Sequence, residues 1–193
     1  MKTTQLIIVL LSLSLFISCK NEQKTDVQKS TETTTTTQEE HKGQATVAAG
    51  EGEQKNALQV AKSLDDFTTL VAAIEAGDVE DAVVNVGPLT IFAPVNDAFA
   101  KIQDAVDDLL KPENKETLAF VLKNHVAPSN YPIKQLKKEA EKGRKLYMAT
   151  GKYLVVENKD GKVFVGGTEI LKSVKVSNGW IHVIGDVLVP SDE

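Results

Sequence analysis

The sequence predicts an α+β domain that follows an N-terminal targeting segment and a tether. Apolar residues between 63 and 125 mostly recur at helical spacing, with one β-branched run at 89–93, whereas the chain from Arg144 onward consists of short strand-like runs. Hydrophobic residues make up 41% of the chain and charged residues 25%, which is typical of a globular protein. Helices and strands that are segregated along a chain favour an α+β fold with a sheet partly covered by helices.

The folded part is predicted to open with two helices. Ser63 followed by Asp66 resembles a capping box, with aspartate in place of glutamate, and therefore marks a helix start. Gly77 is predicted to end this first helix, and a short second helix is expected over Val79–Val84. The first helix carries one apolar stripe of Phe67, Leu70, Val71 and Ile74.

A buried strand and another helix come next. Gly87 and Pro88 break the chain before Leu89–Ala93, whose β-branched and aromatic residues predict a strand that ends at Pro94. Asn96 is a favoured residue to cap the following helix, and Asp97 suits its positive N-terminal end. The apolar residues of that helix are Phe99 and Ile102.

A later helix begins near Pro112, which suits the first helical position, and stops before Pro128. Its apolar stripe is Leu118, Val121, Leu122 and His125, so His125 closes the stripe. The stretch Ile133–Lys145 is also predicted to be helical and is rich in lysine and arginine. It is either an ordinary solvated face or a basic surface for anionic polysaccharide or lipid headgroups.

The C-terminal half is predicted to consist of strands joined by tight turns. Tyr153–Val156 and Val163–Val165 flank Asn158–Gly161, and its Asp-Gly pair is a strong hairpin signal because these residues tolerate positive φ. The remaining predicted elements are the strand Lys172–Val176, the turn Asn178-Gly179, and the strands Trp180–Ile184 and Val187–Val189, which end at Pro190.

Residues 1–18 are predicted to be a lipoprotein signal peptide. The apolar run Leu6–Ile17 is too short for a transmembrane helix, which needs about 20 residues, and fits the core of a secretory signal. It leads into Ser18-Cys19, which resembles a bacterial lipoprotein processing box, although Phe16 stands where leucine is usual. Cys19 is therefore the predicted lipidation site, the alternative being an uncleaved anchor or a non-lipidated signal with an unrelated cysteine.

Residues 19–56 are predicted to be a disordered tether. The segment is rich in Thr, Gln, Glu and Lys, including five consecutive threonines at 33–37, and holds few large apolar residues. Such a composition cannot bury enough surface to offset the entropy cost of ordering. Because Cys19 is the only cysteine, the chain can form no internal disulfide and no cysteine-based metal site.

Three segments resemble motifs of the fasciclin domain family. Thr90–Phe99 (TIFAPVNDAF) is similar to the first family signature and Asn178–Pro190 (NGWIHVIGDVLVP) to the second, with Leu122–Val126 (LKNHV) similar to the central histidine motif. Their spacing fits one domain, assigned to residues 57–193. Three positions depart from the family pattern: Val95 for threonine, Trp180 for a smaller aliphatic residue, and Gly185 for an acidic residue, with Asp186 directly after it. The last change is expected to move or remove a hydrogen bond near the domain's end.

The resemblance implies a β-sandwich-like core with several helices packed on it, and a non-catalytic role in extracellular adhesion or binding. The partner would be an extracellular protein or a polysaccharide. The protein would be located at a bacterial cell envelope, at the outer membrane or the periplasmic face. The histidine motif of the family implies a partner-binding role for Asn124, His125 and Tyr131, the alternative for His125 being a structural imidazole that is half-buried and bonded to backbone. The residues expected to support the fold are Thr90, Phe92, Ala93, Pro94, Asn96, Asp97, Phe99, Asn178, Gly179, Ile181, His182, Val183 and Pro190.

The residues themselves offer little chemistry. No nucleophile motif, zinc motif or phosphate-binding loop is present, so no catalytic residue, cofactor or metal site is predicted. A net charge of −5 disfavours nucleic acid as a partner. The sequence leaves two other functions open: a small hydrolase or ligand-binding protein that uses His125 or His182, and a structural envelope spacer.

Overall fold

A computed structural model describes residues 54–85 and 87–190 of the chain. The predicted signal peptide, Cys19 and the tether up to residue 53 lie outside the described residues. The helices are α1 (Ala57–Lys62), α2 (Thr68–Gly77), α3 (Glu80–Val84), α4 (Asn96–Ala100), α5 (Gln103–Leu109), α6 (Lys115–Lys123) and α7 (Ile133–Glu141). Short 3₁₀ turns at Asp65–Phe67 and Pro112–Asn114 lead into α2 and α6.

The strands are β1 (Leu89–Pro94), β2 (Val126–Ala127), β3 (Lys145–Tyr147), β4 (Tyr153–Lys159), β5 (Lys162–Val165), β6 (Thr168–Val176) and β7 (Gly179–Ile184). They form one sheet in the order β2-β1-β7-β6-β5-β4-β3. Strands β1 and β7 are parallel, with Phe92 opposite His182, and the other neighbours are antiparallel. The two predicted core strands are therefore direct neighbours in a single sheet.

Two apolar clusters lie against this sheet. The helical core contains buried side chains of α1 to α6 with Ile91 and Ile181, and the strand core contains Leu136 of α7 with buried side chains of β3, β4 and β5. Phe92 of β1 also belongs to the strand core, although β1 and β3 lie far apart in the strand order. The sheet therefore curls around its own core like a barrel, and the predicted α+β fold is confirmed.

Two predicted helix caps, Ser63 and Asn96, are wrong. Ser63 ends α1, where its hydroxyl donates to the Val60 carbonyl, and does not start a helix. Asn96 makes no cap for its own helix α4. Its side-chain oxygen instead accepts the Thr69 amide at the start of α2, 3.0 Å away, and its amide donates to the Asp65 carbonyl at 2.8 Å. Asn96 thus joins two helices that are distant in sequence.

Other boundaries also differ from the prediction. The helix expected to contain Phe99 and Ile102 is divided into α4 and α5, and α7 ends at Glu141, before the predicted end at Lys145. The segment Val187–Val189 is not a strand. Strand β2 and helix α1 were not predicted: β2 has only two residues, and α1 begins directly after the predicted tether.

Both predicted turns are confirmed. Asp160 and Gly161, between β4 and β5, adopt φ of 52° and 84°. Gly179, after the β6–β7 turn, has φ of 144°, and a Cβ atom there would lie 1.8 Å from the Leu89 carbonyl oxygen. The parallel pairing of β1 with β7 therefore requires glycine at this position.

Candidate binding surface

A short loop after β2, residues 128–131, is held onto the sheet by hydrogen bonds from beneath. The hydroxyl of Thr90, a fully buried residue of β1, donates to the Ser129 carbonyl at 2.7 Å and accepts the Tyr131 amide at 2.9 Å. Pro128 and Asn130 are exposed, while Ser129 and Tyr131 are half-buried. The loop is therefore fixed through its backbone and presents its side chains at the surface.

His182 supports the same loop from β7. Its Nε2–H donates to the Tyr131 carbonyl at 2.7 Å, and its Nδ1 accepts the Ser173 hydroxyl at 2.8 Å. The residue is 0% exposed and stacks on Phe92, with ring centroids 5.6 Å apart. Burial lowers the pKa of His182, and the Tyr131 bond opposes this shift only in part. The imidazole is therefore neutral at pH 7, with both nitrogens bonded.

Asn124 joins three segments of the chain. Its side-chain amide donates to the Leu188 carbonyl at 3.0 Å, and its oxygen accepts the Thr150 hydroxyl at 3.1 Å. Thr150 lies in the turn 148–152 between β3 and β4, and the Ala149 amide of that turn donates to the Val126 carbonyl at 2.7 Å. Asn124 thus fixes the β3–β4 turn beside the strand that leads into the 128–131 loop.

His125 anchors the C-terminal segment to the end of α6. Its Nδ1–H donates to the Val121 carbonyl, and its Nε2 accepts the Leu188 amide, each at 2.8 Å. Burial lowers the pKa of His125 to about 4, with partial opposition from the Val121 bond. A second proton would place an N–H against the Leu188 N–H, so the arrangement requires the neutral ring.

The structure separates the three residues of the predicted partner-binding set. Asn124 and His125 are buried, at 0% and 3% exposure, and their side chains face the interior. Tyr131 is half-buried in the loop. Direct contact with a partner is therefore open to Tyr131 and its loop neighbours, whereas Asn124 and His125 can act on such a surface only by positioning it. We call residues 128–131 and 148–152 together the contact surface.

The residues expected to support the fold occupy the interior or its edges. Asn178, in the β6–β7 turn, accepts the Ala57 amide and donates to the Val83 carbonyl, which ties α1 and α3 to the sheet. Asp97 lies exposed in the first turn of α4, and Val183 and Pro190 are half-buried. The remaining buried members of the set are Phe92, Ala93, Pro94, Phe99 and Ile181.

The departure at Gly185 and Asp186 coincides with a link between the sheet and α4. Lys101 donates to the Gly185 carbonyl at 2.8 Å and to the Asp186 carboxylate at 2.7 Å, and the Thr168 hydroxyl donates to the same carboxylate at 2.9 Å. The hydrogen bonds from Lys101 and then from Thr168 hold the pKa of Asp186 below its ordinary value. In this chain the carboxylate is supplied by Asp186.

Sequence reasoning missed Ser173 and Thr150, the side-chain partners of His182 and Asn124. Ser173 lies directly opposite His182 in the β6–β7 ladder. The predicted turn at Asn178-Gly179 and its flanking strands contain this pairing, because counting back from the turn gives the register. Thr150 has no comparable signal, because its bond crosses between segments that no local pattern connects.

The arrangement has little capacity for catalysis. Ser173 is the hydroxyl that faces His182, but the other nitrogen of that ring is bonded to a backbone carbonyl and the ring is buried. An apolar cavity of about 80 Å³ in the helical core is lined by His125 and aliphatic or aromatic side chains, and the His125 nitrogens are already bonded to backbone. Among the described residues no three His, Cys, Asp or Glu side chains are placed to hold a metal ion.

Residues 65–190 match the Fasciclin domain family. Protein sll1483 of Synechocystis is 42% identical over 135 residues, which cover 69% of this chain and 72% of that protein. The pig transforming growth factor-beta-induced protein ig-h3 is 30% identical over 138 residues, but these are 70% of this chain and only 19% of that protein. The solved FAS1 domain pair of the insect cell adhesion molecule fasciclin I shares the fold, with a TM-score of 0.64 and 20% identity over 72% of this chain and 52% of that one.

The chain belongs to the fasciclin domain family, and the predicted resemblance is confirmed. It carries one such domain over the matched residues. Within residues 54–85 and 87–190, no helix combines the length and the apolar character needed to cross a membrane.

Proposed function

We propose that this protein is a non-catalytic binding module, held at a bacterial cell envelope by lipid on Cys19 and contacting extracellular protein or polysaccharide through the contact surface. The observation that carries the proposal is the use made of its buried polar side chains. The hydrogen bonds of these side chains fix the 128–131 loop, the 148–152 turn and the C-terminal segment. The residues that make them are Thr90, Asn124, His125 and His182.

Such support favours binding. Binding residues lie disproportionately on loops positioned by a rigid scaffold. A loop that is already fixed loses little conformational entropy when a partner binds, so more of its contact energy appears as affinity. The Tyr131 backbone is bonded at both its amide and its carbonyl, which leaves its side chain and those of Pro128 and Asn130 as the adjustable part.

The relatives support the same role. The solved structural neighbour is described as a cell adhesion molecule. We extend a role in adhesion to this chain as part of the proposal. The anchor rests on Cys19 and its apolar leader. A tether of about 35 residues would have a coil reach of about 30–35 Å, enough for the domain to stand off a bilayer. Many copies on one surface would raise the avidity of a weak contact.

The test compares cells that lack the protein with cells that express it or its variants. We expect deletion to reduce adhesion to extracellular matrix, and the double variant Asn130→Ala with Tyr131→Ala to reproduce that defect at normal protein level. Phe120→Ala, which removes an exposed aromatic side chain from α6, serves as the matched control and should retain adhesion. Normal adhesion after deletion, with altered envelope integrity instead, would favour a structural spacer.

The anchor has a separate test. Cys19→Ala should yield a protein without the mass of an acyl modification and release it from the membrane fraction. If the parent chain and the variant differ in mass only by the replaced side chain, and both partition equally into the membrane fraction, the lipid anchor is excluded. The binding role would be unaffected by that result.

A further inference from the structure

The domain is divided into an acidic and a basic half. Residues 54–122 hold five lysines and no arginine against twelve acidic residues, whereas residues 123–175 hold twelve lysines and arginines against five acidic residues. The division follows the two cores, since the helical core is built mostly from the first segment and the strand core mostly from the second. The positive field is therefore concentrated on the half formed by α7 and strands β3 to β6.

An exposed aromatic strip lies on this basic half. Tyr147 of β3 and Tyr153 of β4 are paired across the strands, 48% and 62% exposed, with ring centroids 5.4 Å apart. Val155, 48% exposed, is two residues along β4 and lies opposite Lys145, which is also exposed. These four residues share one face of the sheet, and we call them the tyrosine ridge.

The charge at the ridge is available to a partner. On the neighbouring strands Lys159 pairs with Glu157 and Lys162 with Glu169. By contrast, Lys145 has no carboxylate within ion-pair distance among residues 54–85 and 87–190. The preceding Arg144 pairs instead with Glu139 of α7, at 3.6 Å. An anion that approaches the ridge therefore meets, at Lys145, positive charge that needs no internal pair to be broken.

We propose that the tyrosine ridge binds an anionic polysaccharide, such as a polymer of uronic acid, an inference that rests on the binding role proposed above. The C–H face of a sugar ring is apolar and packs on an aromatic ring, and a phenol adds a hydrogen-bonding hydroxyl at its edge. A carboxylate of the polymer would meet the ammonium group of Lys145. Two adjacent rings beside this cation suit successive sugar units.

Two other anionic surfaces fit less well. Insertion into a bilayer needs a larger apolar face, of the kind that Trp, Phe and Leu supply on an amphipathic helix. The ridge offers two phenols and one valine on a strand edge. An acidic polypeptide would use the cations but would not need two exposed rings side by side.

The ridge is placed by the same buried residues that support the contact surface. Tyr147 and Tyr153 flank the 148–152 turn, which Asn124 holds through Thr150. The Tyr147 hydroxyl lies over Gly151 of this turn, 4.0 Å from where a Cβ atom would be. The rings are thereby held on a fixed hairpin beside the 128–131 loop, so a polymer chain along the ridge would continue onto the contact surface.

The experiment measures binding of the full chain, purified in mild detergent, to polygalacturonate, with neutral dextran, polyglutamate and phosphatidylglycerol vesicles as comparison probes. We expect polygalacturonate to bind and dextran not to bind. Tyr153→Ala should weaken binding about tenfold, while Tyr153→Phe should retain most of it because the ring remains. Lys145→Gln should weaken binding about threefold and reduce its salt dependence.

Two control variants show whether location matters. Phe120→Ala removes an exposed aromatic residue from the acidic half, and Lys134→Gln removes a positive charge from α7, which packs on the opposite side of β4. Both should bind polygalacturonate within about twofold of the parent chain, since 0.15 M salt screens charges beyond about 8 Å. Urea midpoints equal to that of the parent would show that the ridge variants are folded.

Each of the other results overturns the inference. Binding that tolerates Tyr153→Ala places the polysaccharide elsewhere but keeps the proposed function. Polyglutamate that binds as tightly as polygalacturonate makes the ridge a site for acidic polypeptide, and vesicles that alone bind make it a membrane contact. If none of the probes binds, this inference fails, and the adhesion assay with the Asn130 and Tyr131 variant still decides the proposed function independently.

Discussion

Acidification from pH 7 to pH 5 is expected to destabilise the folded domain through its two buried histidines. The pKa of His125 is lowered from 6.5 to about 4 in the folded state because burial disfavours the charged ring. Between these values the unfolded chain binds more protons than the folded one. The stability is therefore fully present above about pH 6.5 and is lost progressively as the pH falls toward 4.

The magnitude follows from the two pKa values of His125. Across the interval from pH 7 to pH 5, linkage gives a loss of about 2 kcal/mol in the free energy of unfolding. The pKa of His182 is also lowered by burial, so it adds to the loss in the same direction. Asp186 does not contribute between pH 7 and pH 5. Its pKa is lowered from the ordinary value of 3.8, so the stability that it adds is lost only when the pH falls below about 3.8.

Urea unfolding of a chain that starts at residue 20, followed by fluorescence of Trp180, would measure this loss. Trp180 is the only tryptophan, and its ring is stacked 6.4 Å from His182. His125→Gln should lower stability at pH 7 but reduce the difference between pH 7 and pH 5 by about 2 kcal/mol. Equal pH dependence in parent and variant would refute the assignment of the effect to His125.

Three substitutions, and a fourth that serves as a control, test individual contacts. Gly179→Ala should prevent folding, seen as lost cooperative melting, because its Cβ would strike the β1 backbone, whereas Gly87→Ala, with open space around it, should change stability by less than about 0.5 kcal/mol. Asn96→Ala should cost about 1–2 kcal/mol in urea unfolding, since it uncaps α2. Asn124→Ala should cost about 2–3 kcal/mol by leaving the buried Leu188 carbonyl unbonded. A fully folded Gly179 variant, or losses near zero for either asparagine, would contradict the corresponding contact.

The fold could largely be predicted from the sequence because its strands carry strong local signals. The β-branched run at 89–93 indicates a buried strand, and the glycine at 179 indicates a turn that needs positive φ. Both signals are local in the sequence. The parallel pairing of β1 and β7 has no such signal, because it depends on contacts between segments about 90 residues apart. The family resemblance placed both segments in one domain but did not predict that they pair.

Two of the errors share one physical cause, the hydrogen bonding of polar side chains across elements. Asn96 stands in the sequence where a residue would cap its own helix, but its side chain hydrogen-bonds to the start of α2 and the turn before it. The β-like run 187–189 finds no strand partner, since the Leu188 amide and carbonyl bond to the side chains of His125 and Asn124. For the same reason the burial of Asn124 could not be predicted, as an asparagine at a helix end is usually solvated.

Site-specific photo-crosslinking on living cells tests the central claim most directly. A benzophenone amino acid would replace Asn130 of the contact surface, Tyr153 of the tyrosine ridge, or Phe120 on the acidic half, in the chain as it is displayed. We expect crosslinked species of higher mass from positions 130 and 153 and none from 120. Crosslinks from position 120 alone, or the absence of crosslinks at all three positions on adherent cells, would contradict this claim.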